Sequence, residues 1–219
     1  MTGIPTNSDQ MDPIRHFSLP DSNLAKKATR FVSEIVPPFL FHHSMRAFLF
    51  ADALGKRDGL KYDRELLYLG AVLHDVGLSE SFPGKERFEV EGADAARALV
   101  VEHGLAEEKA EIIWDAIALH TTVGVALRKQ PEIALVALGT ALDVSGRRLD
   151  ELDPRTLTDI LEVFPRSNFK QAAFELLVSY AKRHPQHLPF TWMADVARTR
   201  PEVRCPTIAD VIRSSPFKD

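Results

Sequence analysis

His43, His74, Asp75 and Asp143 stand where the surrounding sequence is otherwise apolar: His43 within FLFHHSMRAFLF, His74 and Asp75 directly after GAVL, and Asp143 within ALVALGTALDVSG. An ionised carboxylate on an apolar helix is costly unless it is paired or bound to a metal. A desolvated imidazole likewise needs partners. Two imidazoles and two carboxylates suit one borderline divalent ion: Zn, Fe, Mn, Co or Ni. Such a set leaves up to two positions of an octahedral ion for water or substrate. Each residue alone has a plainer reading. A lone buried histidine is commonly a satisfied core residue, Asp143 suits an N-cap or a salt bridge, and a His-Asp dipeptide arises often by chance. Their joint occurrence on three separate apolar segments is what points to a metal centre.

Those segments read as helices. Apolar residues recur at spacings of three and four almost everywhere, and no alternating β-branched run is present. Asp21 and Ser22 offer an N-cap for a helix reaching Val36, which Pro37 and Pro38 stop. Pro38 to Gly55 is apolar all round and predicts a buried helix. Asp63 caps a third helix expected to end near Gly77, which places His74 and Asp75 in its last turn. Neighbours on a helix point about 100° apart, so both reach one ion only beside the helix end. Further helices are expected over GADAARALVVEHG, AEEKAEIIWDAIALHT, PEIALVALGTALDVSG, a short stretch from Pro154, NFKQAAFELLVSYAKRH and TWMADVARTR. The expectation is an all-α, single-domain bundle of about eight to ten helices. Residues 1–20 read as a flexible arm, 21–200 as the domain and 201–219 as a tail without an assigned element.

Composition limits the functions available. The 219 residues carry 27 Lys and Arg against 31 Asp and Glu, a net charge of −4, which excludes a strongly basic nucleic-acid footprint. A single cysteine, Cys205, precludes an internal disulfide and fits a cytoplasmic protein. No apolar run approaches the roughly 20 residues of a membrane span, so neither membrane nor nucleic acid is expected as a partner. A small-molecule substrate is. Phe174, Leu177 and Tyr180 on a late helix serve either the core or a homo-oligomer interface.

The set His43, His74–Asp75, Asp143 resembles the signature of the HD-domain superfamily of metal-dependent hydrolases, whose helical core brings these four ligands to one ion. FHHSMR, LHDVGL, RFEVEGADAA and ALHTT resemble, more narrowly, its cyanamide hydratase-like branch, over roughly residues 22–200. That resemblance implies hydration of a nitrile-type carbon, as in cyanamide to urea. Two positions depart from other branches. Leu78 stands where many phosphohydrolases of the superfamily have a lysine, and Phe88 where two-metal members have a histidine. Both argue against a two-metal phosphodiesterase.

Four further residues are candidate catalytic groups. His120, at the end of EIIWDAIAL, is the expected proton donor, a role that the resemblance favours and that suits a residue type titrating near neutral pH when unperturbed. Lys85, in the loop after the ligand pair, is the reserve donor. Arg46 shares a helical face with His43 and is placed either to orient a carboxylate or to hold an anionic substrate, or it makes a structural ion pair. Glu89 sits at a helix entry, where its charge also favours the helix N-terminus. The expected chemistry is metal-assisted addition of water to a small substrate. Its rivals are a single-metal phosphohydrolase using Arg46 and Lys85 on a nucleotide, and a non-catalytic metal-stabilised binding module.

Overall fold

The computed structural model describes residues 17–122, 124–203, 205–214 and 216. Of the expected N-terminal arm, residues 1–16 lie outside the described residues. Among the described residues the chain is all-α, with ten α-helices and no strand. These are α1 (Asn23–Ile35), α2 (Pro38–Arg57), α3 (Arg64–Leu73), α4 (Phe88–Glu102), α5 (Glu107–Leu119), α6 (Pro131–Ser145), α7 (Pro154–Val163), α8 (Phe169–Arg183), α9 (Met193–Arg198) and α10 (Ile208–Arg213).

The boundaries follow local chemistry. Ser22 accepts from the Ala25 amide at the start of α1, and its hydroxyl donates to Glu65, tying α1 to α3. Asp63 accepts from the Glu65 and Leu66 amides to open α3. Prolines open α2, α6 and α7, where a missing amide hydrogen costs nothing. Gly146 ends α6 in the left-handed region at φ 74°, as a C-terminal glycine does. Thr207 and Asp210 form a capping box for α10, in the tail that carried no assigned element.

Helix α2 is the axis of the bundle and packs chiefly on α6 and α3, while α4 packs on α5. Its side chains Met45, Phe48, Phe50 and Leu54 are buried nearly completely, as its all-round apolarity requires. Glycine sets the α2–α6 approach. A Cβ on Gly139 would lie 2.1 Å from the Ala47 carbonyl oxygen. The helix carrying His43 and the helix carrying Asp143 therefore meet backbone to backbone.

The expected end of α3 is corrected. The helix stops at Leu73, and Val76–Leu78 form a separate 3-10 turn. Asp75 sits between them at φ −106°, ψ 9°, the sparsely populated bridge region in which many active-site residues occur. Gly77 then packs against the start of α4, where a Cβ would lie 2.0 Å from the Phe88 carbonyl oxygen. The break turns Asp75 out of the helical progression, so the adjacent His74 and Asp75 reach one place.

Candidate metal centre and its cavity

His43 comes from the second turn of α2, His74 and Asp75 from the turn after α3, and His120 from the end of α5. One donor atom each from His43, His74 and Asp75 lies within 4.8 Å of the others. His43 Nε2 is 3.2 Å from His74 Nε2 and 3.6 Å from Asp75 Oδ2, and His74 Nε2 is 3.2 Å from the same oxygen. His120 Nε2 approaches the other side of the carboxylate, 3.6 Å from Asp75 Oδ1.

The far nitrogen of each ring fixes its tautomer. His74 Nδ1 is 2.7 Å from the Ala71 carbonyl and His120 Nδ1 is 2.6 Å from the Ile117 carbonyl. A carbonyl only accepts, so both Nδ1 atoms carry hydrogen. His43 Nδ1 is 2.6 Å from Asp143 Oδ2 and donates to it in the same way. In the neutral rings every Nε2 is then a lone-pair acceptor. Three such nitrogens and the Asp75 carboxylate crowd together in a buried place, with no donor among them. Acceptors so arranged repel one another unless a cation is shared between them. Imidazole nitrogens with one carboxylate are also the donor types that a borderline divalent ion takes, so the residues fit the expected cofactor.

Charge state agrees with this at His43 and Asp75, whereas His74, beside the Asp75 carboxylate, favours the extra proton that a cation would replace. Burial pushes His43 down, which favours the neutral ring. Burial opposes charge on His74 too, but the adjacent Asp75 carboxylate outweighs it and leaves the ring raised. Asp75 is pushed up by burial and pulled further down by His74, His120 and His43, so it stays ionised.

Asp143, expected as the fourth ligand, does not join this group. Its carboxylate lies at the Nδ1 edge of His43, not the Nε2 edge. Arg46 holds it with a fork, Nε to Oδ1 and Nη2 to Oδ2, each at 2.8 Å, and Arg166 donates to Oδ1 at 2.7 Å. Burial raises its pKa, and the donors from His43 and Arg46 overturn that, holding it well below the usual carboxylate range. The geometry is that of a carboxylate that orients the His43 ring.

Arg46 is wholly buried, and its remaining nitrogen donates to the Phe164 and Pro165 carbonyls at 3.2 and 3.0 Å. Of the three roles open to it, holding an anionic substrate is not the one the contacts favour, since its guanidinium is spent on the buried Asp143 carboxylate and two carbonyls. Glu89 is buried, and its Oε1 accepts from Arg87, Thr121 and Trp192 at 2.6, 2.7 and 3.2 Å. Burial pushes Glu89 up and Arg87, His120 and Thr121 bring it below its ordinary value. It braces the neighbouring Arg87, Thr121 and Trp192 side chains. Lys85, expected as the reserve donor, is exposed, and its amide donates to Glu91. Phe88 is buried with its ring 5.8 Å from that of His120, edge on.

His43, Asp75 and His120 line a cavity of about 520 Å³. Arg46, Lys85 and Glu89 are not among the residues that line it. Leu78, the residue in place of lysine, is. Phe174 and Leu177, left open as core or interface, prove to be cavity wall, whereas Tyr180 is buried.

Sequence reasoning missed Arg166 and Phe169. The Phe169 ring stacks on His43 at 4.9 Å and 25°, and the guanidinium groups of Arg166 and Arg46 lie 4.8 and 5.3 Å from its centroid. Ser167 and Asn168 deliver both residues by turning through positive φ, 43° and 61°. The only hint in the sequence is the polar Pro-Arg-Ser-Asn break ahead of α8.

Among proteins of curated function none matches the chain. The HD domain family model matches residues 40–154, a span that contains His43, His74, Asp75, His120 and Asp143. Helical core, clustered His-His-Asp donors and that match together make the chain a member of the HD domain family, whose proteins are generally metal-dependent hydrolases.

Proposed function

We propose that the protein is a metal-dependent enzyme that adds water to an uncharged electrophilic carbon, a nitrile in the first instance, with His43, His74 and Asp75 as ligands of one divalent ion. The observation that carries this reading is the convergence of the Nε2 edges of His43, His74 and His120 on the buried Asp75 carboxylate. When bound, a divalent ion supplies Lewis acidity and lowers the pKa of water from 15.7 to near 7. The chain's own residues do the rest. Asp143 holds His43 in the tautomer that presents Nε2, and Arg46 holds Asp143. His120 lines the cavity with Nε2 as acceptor, the form suited to take a proton from water and return it to nitrogen. Addition of one water to a nitrile gives an amide: the oxygen bonds to carbon and both protons finish on nitrogen, one of them carried by His120.

A neutral substrate is favoured over a phosphoester by the cavity lining, in which Lys170, an exposed residue, is the single cation. Phosphate recognition relies on arginine forks or clustered donors, and Arg46 is already committed to Asp143. The sequence resemblance to the cyanamide hydratase-like branch supports the nitrile. Phe88 has no lone pair to offer, which supports one ion per chain.

The test is turnover by protein loaded with Zn, Fe or Mn, set beside chelator-stripped protein. Amide release from nitriles, or urea from cyanamide, that requires metal is the expected result. Phosphate or nucleoside release from nucleotides without nitrile turnover overturns it.

A further inference from the structure

The cavity is far larger than a cyanamide-sized molecule needs. Pockets of roughly 300–1,000 Å³ take drug-sized ligands, and this one measures about 520 Å³. Away from His43, Asp75 and His120 its walls are largely carbon, with Leu40, Leu78, Phe88, Phe174, Leu177 and Trp192 prominent. At Val144 and Lys170, both exposed, the lining reaches solvent. One lining hydroxyl, Thr140 Oγ1, is buried with no hydrogen-bond partner, and an orphan of this kind calls for an explanation outside the protein.

The wall also has a separate origin. The family match ends at residue 154, whereas Phe169, Ala173, Phe174, Leu177 and Trp192 all lie beyond it, on α8 and just ahead of α9. The matched segment supplies the polar centre together with Leu40, Leu78 and Phe88, and the segment after it supplies the rest of the apolar wall. Trp192 is fixed there by its indole N–H to Glu89, so the wall is built and not merely unfilled.

We infer that the substrate is an amphiphile: a polar reactive head at His43, Asp75 and His120, and an apolar chain or ring system against α8 and Trp192. This rests on the proposed function for the head group alone. The apolar body follows from the cavity whatever the head group is. Removing such a body from water gives the affinity, which grows with each methylene until the wall is covered.

Calorimetric titration with straight-chain hydroxamates, from acetohydroxamate to octanohydroxamate, separates the two parts. The hydroxamate group binds divalent metals and the tail reports the wall. On metal-loaded protein, affinity is expected to rise roughly fourfold per added methylene. Ala173→Phe, which fills the cavity, and Leu177→Asn, which makes the wall polar, should each reduce the ratio of octano- to acetohydroxamate affinity at least tenfold, with thermal melts reporting that each is folded. Affinities that do not change with chain length, or a ratio untouched by both variants, overturn the inference. Repeating the series on chelator-stripped protein isolates the head group. A uniform loss of affinity with the slope retained supports both readings. A retained slope with no loss supports the apolar body and sinks the metal reading.

Discussion

Asp143 and the Nε2 of His43 lie on opposite edges of one imidazole: the carboxylate accepts from Nδ1 at 2.6 Å while Nε2 faces His74 at 3.2 Å. Ligand and orienting carboxylate are thus distinguishable by experiment. Asp143→Asn should keep metal but bind it 10–100-fold more weakly, the usual effect of losing an outer partner. His74→Ala should retain none. Chelator competition followed by metal analysis reads both. Complete loss from Asp143→Asn would instead make Asp143 a direct ligand.

Arg46 is fully buried and paired with a buried carboxylate. Removing one partner of such a pair leaves an uncompensated charge, at about 3–5 kcal/mol. Arg46→Met should therefore lower the melting temperature by on the order of 10 °C for a chain of this size. A melt within a degree or two of the parent would show that Arg166 alone balances Asp143.

The Gly139 contact makes a steric prediction. Gly139→Ala must push α6 off α2, because the new Cβ meets a backbone oxygen that cannot rotate away. Overpacking of this kind costs about 1–3 kcal/mol. Since α2 carries His43 and α6 carries Asp143, urea unfolding and metal affinity should both report the change. Stability equal to the parent protein would contradict the close approach.

Asp52 offers a pH test away from the metal centre. Burial pushes its carboxyl up, but hydrogen bonds from Arg64, Lys56 and Tyr62 prevail and hold it below the ordinary 3.8. A depressed carboxylate stabilises the fold above its unfolded pKa and loses that contribution as pH falls through the folded one. Asp52→Asn should therefore destabilise by about 1–3 kcal/mol at neutral pH. The gap should narrow as pH falls below 3.8. A gap that widens in acid has the wrong sign for this account.

His120 lies within reach of Asp75 yet stands outside the tight His43–His74–Asp75 group. As a proton carrier it contributes typically 10²–10⁴-fold to turnover. His120→Gln should lose rate by that factor while binding metal normally. Unchanged kcat would leave it a structural neighbour of Asp75.

Much of this was legible because single residues announce it. Ser22, Asp63, Pro38, Pro131 and Gly146 mark helix ends through local hydrogen bonding or a fixed φ, and they do so wherever the rest of the chain lies. His43, His74 and Asp75 were visible as polar interruptions of apolar text. The role of Asp143 was not, because sequence spacing carries no information about which edge of a distant ring a carboxylate meets. Phe169 was hidden for another reason. Its place depends on two successive positive-φ residues, Ser167 and Asn168, and neither is a glycine that would signal such a turn. The apolar wall was likewise unreadable, since Phe174 and Leu177 have the same spacing whether they face a core, a partner or a void.

Arg46 reaches across the bundle to the Phe164 and Pro165 carbonyls, and Arg166 reaches back to Asp143. The orientation of His43 and the docking of the chain after α7 are therefore one equilibrium, not two. Coupling between sites is reciprocal: whatever undocks residues 164–169 weakens cation affinity, and a cation at the cluster protects that distant stretch of backbone from hydrogen exchange by the same free energy.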